Sequence, residues 1–188
     1  MPAVNMIRIA RGVTNISLQK ALKPWYAYHY KRMIDELNKP IRFDAKSAMV
    51  HARFSYDGFP NTIGYQRKLF LDKCLENGRI LTGKVSPKVY NREIKGVAAV
   101  LSPYGWGEIC FRDFEAVFNG ALLIKPNMDG LDTWPNIYKN FETYIPIGWD
   151  GSDLQETVNM ISDNIDQYKT VMETAREDYK KALLGVND

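Results

Sequence analysis

The chain has 188 residues, which is enough for one well-buried domain and short for a protein with two ordinary lobes. Hydrophobic residues make up 45% and charged residues 25%, a composition that excludes a disordered or fibrous chain. The formal charge is only +3, and no stretch approaches the roughly 20 apolar residues of a membrane-spanning helix.

Residues 1–43 predict a basic, aromatic, helical N-terminal arm. A helix is expected over residues 16–38, kinked or divided at Pro24 and ended before Pro40. Eight Lys and Arg residues precede residue 44, and aromatic residues are interleaved with them. This arm is either an amphipathic helix docked on its own domain or a contact surface for nucleic acid, anionic lipid or an acidic partner. No secretory signal peptide is recognisable, so we expect a cytoplasmic protein.

From residue 44 to residue 188 the pattern predicts a second domain in which strands and helices alternate. The predicted elements are a strand at 47–54, a turn at 57–61, a helix at 62–76, a strand at 79–82, and a helix from Ser86 to Glu93 with Ser86 as its N-cap. A short apolar strand follows at 97–101, then a helix from about Glu108 to Gly120 and a strand at 121–124.

The remainder of the chain predicts one more strand, at 142–147, and two helices. Ser152 and Gln155 predict a capping box for a helix that runs to about residue 165, and a second helix covers residues 168–184. This alternation predicts an α/β fold with a Rossmann-like parallel sheet and helices on both faces, in which ligands bind at the carboxyl ends of the strands. Cys74 and Cys110 lack metal-site spacing and are predicted to be buried thiols.

Polar residues gather between the two central strands. Gly105 and Gly107 permit a sharp turn and a close approach of the backbone to a ligand. At 100° per residue, Glu108, Arg112 and Glu115 fall on one face of the helix that follows. The start of this helix suits a phosphate, and its carboxylates suit ribose hydroxyls. The alternative is an ordinary amphipathic helix with a solvated polar stripe.

The same residues resemble the C-terminal, donor-binding lobe of GT-B fold glycosyltransferases, in a bacterial and viral branch similar to glycosyltransferase family 1. In that lobe a glycine-containing loop precedes a helix with two glutamates and a glycine-rich apolar strand. The similarity covers roughly residues 44–184 and includes GALLIKP, TWP and WDGSDL. The resemblance implies a single GT-B type lobe in which Glu115 binds the ribose of the donor nucleotide. It also implies that Glu108 lies near the transferred sugar as the candidate catalytic residue, although Glu108 is seven positions before Glu115 and the family has eight.

The resemblance implies further substrate-binding residues, namely Arg53, Lys84 and Val85. The residues around the glycine loop add Tyr104, Gly105, Trp106, Gly107 and Arg112, of which Arg112 would neutralise phosphate charge. Arg53 would face the diphosphate, the backbone at 84–85 the nucleobase, and the two aromatic residues of the glycine loop the sugar. The alternatives are a surface salt bridge for Arg53, core packing for the aromatic residues, and helical pairing with the two glutamates for Arg112.

The resemblance therefore implies an enzyme, a glycosyltransferase or its donor-binding subunit, that transfers a sugar from a nucleotide-diphosphate sugar to an acceptor hydroxyl. It implies no metal and no other cofactor. The acceptor is unknown, and no acceptor-binding lobe is recognisable, so we expect a homo-oligomer or a separate acceptor-lobe subunit. Two alternatives stay open: a non-catalytic nucleotide-sugar-binding regulatory or assembly module, and a protein whose basic arm binds nucleic acid or a membrane surface.

Overall fold

The computed structural model describes residues 27–28, 30–133 and 136–185. The chain divides into two units between Pro40 and Ile41, three residues before the boundary predicted after residue 43. In the first unit, residues 30–37 are helical, within the helix predicted over residues 16–38. Residues 16–26 and most of the basic arm lie outside the described residues. Within the described ranges, no helix combines the length and the apolar character needed to cross a bilayer.

The second unit is built on a five-stranded, all-parallel sheet. Its strands are β1 (Ser47–His51), β2 (Ile80–Leu81), β3 (Val97–Leu101), β4 (Leu122–Pro126) and β5 (Ile145–Ile147). They lie in the order β2-β1-β3-β4-β5. The chain leaves β1 toward one edge of the sheet and leaves β3 toward the other, so the strand order reverses between β1 and β3. Ligands of such sheets bind outside the carboxyl ends of the strands at that point.

Helices cover both faces of the sheet. They are α1 (Asn61–Leu75), α2 (Pro87–Gly96), α3 (Phe111–Phe118), α4 (Leu154–Asp163) and α5 (Lys169–Leu184), with short 3-10 turns at Phe43–Ala45 and Ile165–Tyr168. One core joins α1, α4 and α5 to the sheet, and the other joins α2 and α3 to the opposite face. Every residue of β3 and β4 is buried, as expected for strands with helices on both sides. The predicted Rossmann-like α/β fold is confirmed.

Three strands are shorter than predicted. β2 covers Ile80–Leu81 instead of 79–82, and the shortening of β1 and β5 has reasons visible in their hydrogen bonds. β1 ends at His51 because Phe54 N donates back to Ala52 O at 3.0 Å and turns the chain away from the sheet. Arg53 therefore lies in the loop after β1. β5 begins at Ile145 because the N–H groups of residues 142 and 143 donate to Lys139 O and form a turn.

The helix starts are confirmed at α2 and corrected at α4. Ser86 Oγ accepts a hydrogen bond from Val89 N at 3.4 Å, as an N-cap should. The predicted capping box of Ser152 and Gln155 is wrong, because Asp153 is the N-cap residue of α4. The side chain of Gln155 instead donates to Lys73 O of α1 at 2.6 Å, so it joins two helices.

A buried ion pair ties α3 to β4. Lys125 Nζ lies 3.1 Å from Asp113 Oδ2, and both side chains are fully buried. The Asp113 carboxylate also accepts hydrogen bonds from Tyr138 OH at 2.7 Å, from Cys110 N at 2.9 Å and from the Ser102 hydroxyl. All the lone pairs that face the core thus have partners, which offsets the cost of burying the charge.

We expect Lys125→Met to lower the free energy of unfolding by about 3–5 kcal/mol, because it leaves the Asp113 carboxylate buried without its counter-ion. Urea denaturation measures the change. The control is Lys68→Met, which breaks an exposed pair with Asp72 on α1 and should cost less than about 1 kcal/mol. Equal, small losses in the two variants would contradict a central role for the buried pair.

Candidate functional site

Residues from β1, α2 and α3 meet at the carboxyl ends of β1 and β3. We call Arg53, Tyr90, Glu93, Arg112 and Glu115 the switch-point cluster, because they lie where the strand order reverses. Arg112 Nη2 donates to Arg53 O at 2.5 Å, which joins α3 to the loop after β1. The cluster thus brings together three residues predicted from distant parts of the chain and two that sequence reasoning missed.

Arg53 is held by Glu93 of α2. Its Nε donates to Glu93 Oε2 and its Nη2 donates to Glu93 Oε1, both at 2.9 Å. The exposed fractions of the Arg53 and Glu93 side chains are only 14% and 17%. The salt bridge of Arg53 is therefore partly buried and is not the surface salt bridge considered as an alternative. Hydrogen bonds from Arg53 are the main cause that lowers the pKa of the Glu93 carboxyl. Glu93 therefore remains a carboxylate at neutral pH.

Glu115 is held by Tyr90, also of α2. The Tyr90 hydroxyl donates to Glu115 Oε2 at 2.6 Å, and both side chains are partly buried. Burial is the main cause that raises the pKa of the Tyr90 phenol, so this group stays protonated and continues to donate. The second carboxylate oxygen, Oε1, can accept a hydrogen bond from another donor.

His51 lies beneath the cluster, at the end of β1, and is fully buried. Its ring meets the Tyr90 ring edge to face, with 4.8 Å between centroids. Burial above all, and then the charge of Arg112, lower the pKa of His51 to about 4, although Glu93 opposes this shift. His51 is therefore neutral at pH 7. Neither of its ring nitrogens, nor Arg112 Nη1, has a hydrogen-bond partner within the described residues.

The predicted helix start at Glu108 is wrong, since α3 begins at Phe111. The Asp113 carboxylate binds the N–H of Cys110 and so fixes Cys110 as the N-cap residue. Glu108 consequently lies in the preceding loop, is exposed, and does not continue a helical stripe with Arg112 and Glu115. The negative charge at the start of α3 comes from the chain's own Asp113. Cys110 is only partly buried, in contrast to Cys74.

The glycine loop packs against Cys110. Gly105 N donates to Gly107 O at 2.9 Å, which closes a tight turn. A Cβ atom at Gly105 would lie 2.8 Å from Cys110 Sγ, whereas a Cβ atom at Gly107 would meet nothing within 4 Å. The absence of a side chain at Gly105 therefore serves the packing of the chain itself, and only Gly107 faces open space.

The two aromatic residues of this loop differ in their surroundings. The Tyr104 hydroxyl donates to Asn127 O at 2.7 Å, and Tyr104 O accepts from Arg67 Nη1 at 2.7 Å. Burial, with smaller contributions from Tyr144 and Glu108, raises the pKa of Tyr104 to about 12. Trp106 is 77% exposed, and its ring centroid lies 5.9 Å from that of Phe59. Core packing thus accounts for Tyr104, while Trp106 presents an open aromatic surface.

Lys84 and Val85 lie in the loop between β2 and α2. Lys84 is exposed and Val85 is partly buried. Gly83, just before them, has a φ of +85° and adjoins the switch-point cluster, because a Cβ atom there would lie 3.9 Å from Arg53 Nη1. The backbone at residues 84–85, which the resemblance assigns to the nucleobase, therefore directly follows a glycine that lies close to Arg53.

Comparison with known proteins assigns no family to this chain. No protein-family model matches the chain, and no curated protein matches it either. The resemblance to GT-B lobes therefore stays a hypothesis. Within the described ranges, no group of three or more His, Cys, Asp or Glu side chains is placed to hold a metal ion, and the expectation of metal-free chemistry stays a prediction as well.

We expect Gly105→Ala to destabilise the protein by about 1–3 kcal/mol, because its Cβ would overlap Cys110 Sγ. Gly107→Ala is the matched control and should change stability by less than about 0.5 kcal/mol, the usual range for a surface change. Cys110→Ala in the Gly105→Ala background should recover part of the loss by making room. Thermal denaturation measures all three, and equal effects of the two glycine substitutions would be inconsistent with this packing.

Proposed function

We propose that this chain binds a nucleotide-diphosphate sugar at the carboxyl ends of β1 and β3 and is the donor-binding part of a glycosyltransferase. One observation carries the proposal. Arg53 and Glu115, which the resemblance assigns to the donor, lie with Arg112, predicted from the helix to neutralise phosphate charge, in one cluster where the strand order reverses. This is the place where parallel α/β sheets bind their ligands.

The charges of the cluster suit the two halves of a nucleoside diphosphate. The guanidinium groups of Arg53 and Arg112 offer several N–H donors, which match the oxygens of a diphosphate. Arg112 Nη1, which is buried without a partner in the described residues, is one such donor. Glu115 retains Oε1 for a ribose hydroxyl, since Tyr90 occupies Oε2. Carboxylate and guanidinium thus lie on the same helix, one turn apart.

Transfer would break the bond between the anomeric carbon and the diphosphate oxygen and form a bond from that carbon to the acceptor oxygen. The acceptor hydroxyl releases its proton to water, and the departing diphosphate carries the negative charge. The two arginines would stabilise that charge, and the protein would hold donor and acceptor in position. Glu108 remains the candidate catalytic residue. It lies exposed beside the open face of Gly107, where a bound sugar could reach it.

A second candidate is a non-catalytic nucleotide-sugar-binding module. It is favoured by the position of Glu108. In the lobes that the chain resembles, both glutamates lie on one helix, whereas here Glu108 lies before α3 and only Glu115 lies on it. The same cluster would bind the donor in either case. Turnover of a nucleotide sugar separates the two candidates.

We expect uridine or guanosine diphosphate to stabilise the folded chain, because the cluster exists only in the folded state. At about 100 times the dissociation constant the gain is roughly 2.7 kcal/mol, or a melting shift of about 5–10 °C. Glu115→Gln should weaken binding at least about tenfold, since it removes a charge-assisted hydrogen bond. The exposed Glu156→Gln of α4 is the control. If neither nucleotide shifts the transition at millimolar concentration, the proposal is wrong.

The glycosyltransferase proposal also predicts dependence on an acceptor-binding partner. The purified chain should self-associate, or should hydrolyse a nucleotide sugar slowly, because a donor site alone leaves the reacting sugar open to water. Sedimentation velocity gives the first result, and chromatography of the released nucleotide gives the second. Efficient transfer to a simple acceptor by a strict monomer would contradict this dependence.

A further inference from the structure

Helix α2 contacts two residues of the switch-point cluster that are proposed to bind the ligand. Tyr90 and Glu93 are three residues apart and therefore lie on the same face of this helix. Tyr90 binds Glu115, and Glu93 binds Arg53. Neither residue carries a role in the function proposed above, yet each restrains a residue that does.

We propose that Tyr90 is a positioning residue for nucleotide recognition: its hydroxyl holds the Glu115 carboxylate in the orientation that binds the ribose. The inference rests on the proposed function, because it assumes that Glu115 contacts the ribose. It adds that this contact depends on another member of the cluster, which lies on a different helix and acts through Glu115.

The hydrogen bond from Tyr90 restrains one oxygen of the carboxylate. Its donor is a single hydroxyl, 2.6 Å from Glu115 Oε2, and Oε1 can accept a hydrogen bond from another donor. A glutamate on a helix surface otherwise samples many rotamers and loses that freedom when it binds a ligand. Restraint before binding reduces this loss, which is the general basis of preorganisation.

The Tyr90 ring is itself held in place, so it can serve as a rigid support. Its edge-to-face contact with buried His51 has a centroid distance of 4.8 Å. The Arg112 guanidinium carbon lies 5.8 Å from the ring centroid. Because buried His51 belongs to β1, its ring contact holds Tyr90 against the sheet.

The test compares Tyr90→Phe with the unchanged chain in binding UDP or GDP, whichever shifts the melting transition, and the 2′-deoxy and 3′-deoxy analogues of that nucleotide. Tyr90→Phe removes only the hydroxyl and keeps the ring against His51. We expect the preference for the parent nucleotide over the more weakly bound analogue to fall about threefold to tenfold. Tyr179→Phe is the matched control, because Tyr179 packs against Phe114 of the same helix α3 and its substitution should leave the preference unchanged.

A double-mutant cycle shows whether Tyr90 acts through Glu115. In the Glu115→Gln background, Tyr90→Phe should have no further effect on the preference. Should Tyr90→Phe fail to fold, Tyr90→Leu removes the same hydroxyl and should lower the preference in the same way.

Several results would overturn the inference, and they differ from those that overturn the proposed function. If the unchanged chain binds neither nucleotide, both are wrong. If Glu115→Gln abolishes the ribose preference and Tyr90→Phe retains it in full, only the positioning role is wrong. Equal weakening of the parent nucleotide and its analogues by Tyr90→Phe would indicate a purely structural hydroxyl and would also refute the role.

Discussion

The buried ion pair between Lys125 and Asp113 determines where α3 begins, and the switch-point cluster depends on that start. Asp113 accepts a hydrogen bond from Cys110 N and so fixes the first turn, while Lys125 and Tyr138 fix the helix against the sheet. Arg112 and Glu115 are neighbours of Asp113 along this helix. A rotation of α3 about its axis would break the buried network, and such a rotation is costly because it would leave charges in the core without partners. The stability of the core thus fixes the direction of the Arg112 and Glu115 side chains.

The cluster is electrostatically balanced within the protein. It contains two guanidinium groups and two carboxylates, Arg53 pairs with Glu93, and burial keeps His51 neutral with a pKa of about 4. A diphosphate would add negative charge near Arg53, whose Nε and Nη2 already bind Glu93. Nucleotide binding at this place would therefore compete with internal pairs, which favours a ligand that carries more than one negative charge.

Much of the fold could be predicted, because buried strands such as 97–101 are apolar runs and the helices between them begin and end with recognisable residues such as Ser86. The grouping of Arg53, Arg112 and Glu115 followed from the rule that strand ends meet at one edge of the sheet. The partners Tyr90 and Glu93 could not be predicted, because the rotation of α2 is set by long-range packing of residues such as Ile94. The start of α3 was predictable in principle, since an acid three residues after Cys110 has the spacing of an N3 residue.

A nucleotide sugar would bind to the proposed site in one orientation, because some parts of the site are open and others are filled by side chains. Beside β2, Gly83 adjoins Arg53, and Glu115 of α3 contacts α2, so the nucleoside end of a donor would lie near α2. Across the site, Cys110 fills the space beside Gly105, whereas Gly107 and Trp106 face open space. The sugar end would therefore lie along the loop after β3.

The diphosphate would then lie between the two ends, near Arg53 and Arg112. In this arrangement Glu108 belongs to the sugar end because it follows Gly107, and its exposure outside α3 leaves it free to face either the sugar or an incoming acceptor.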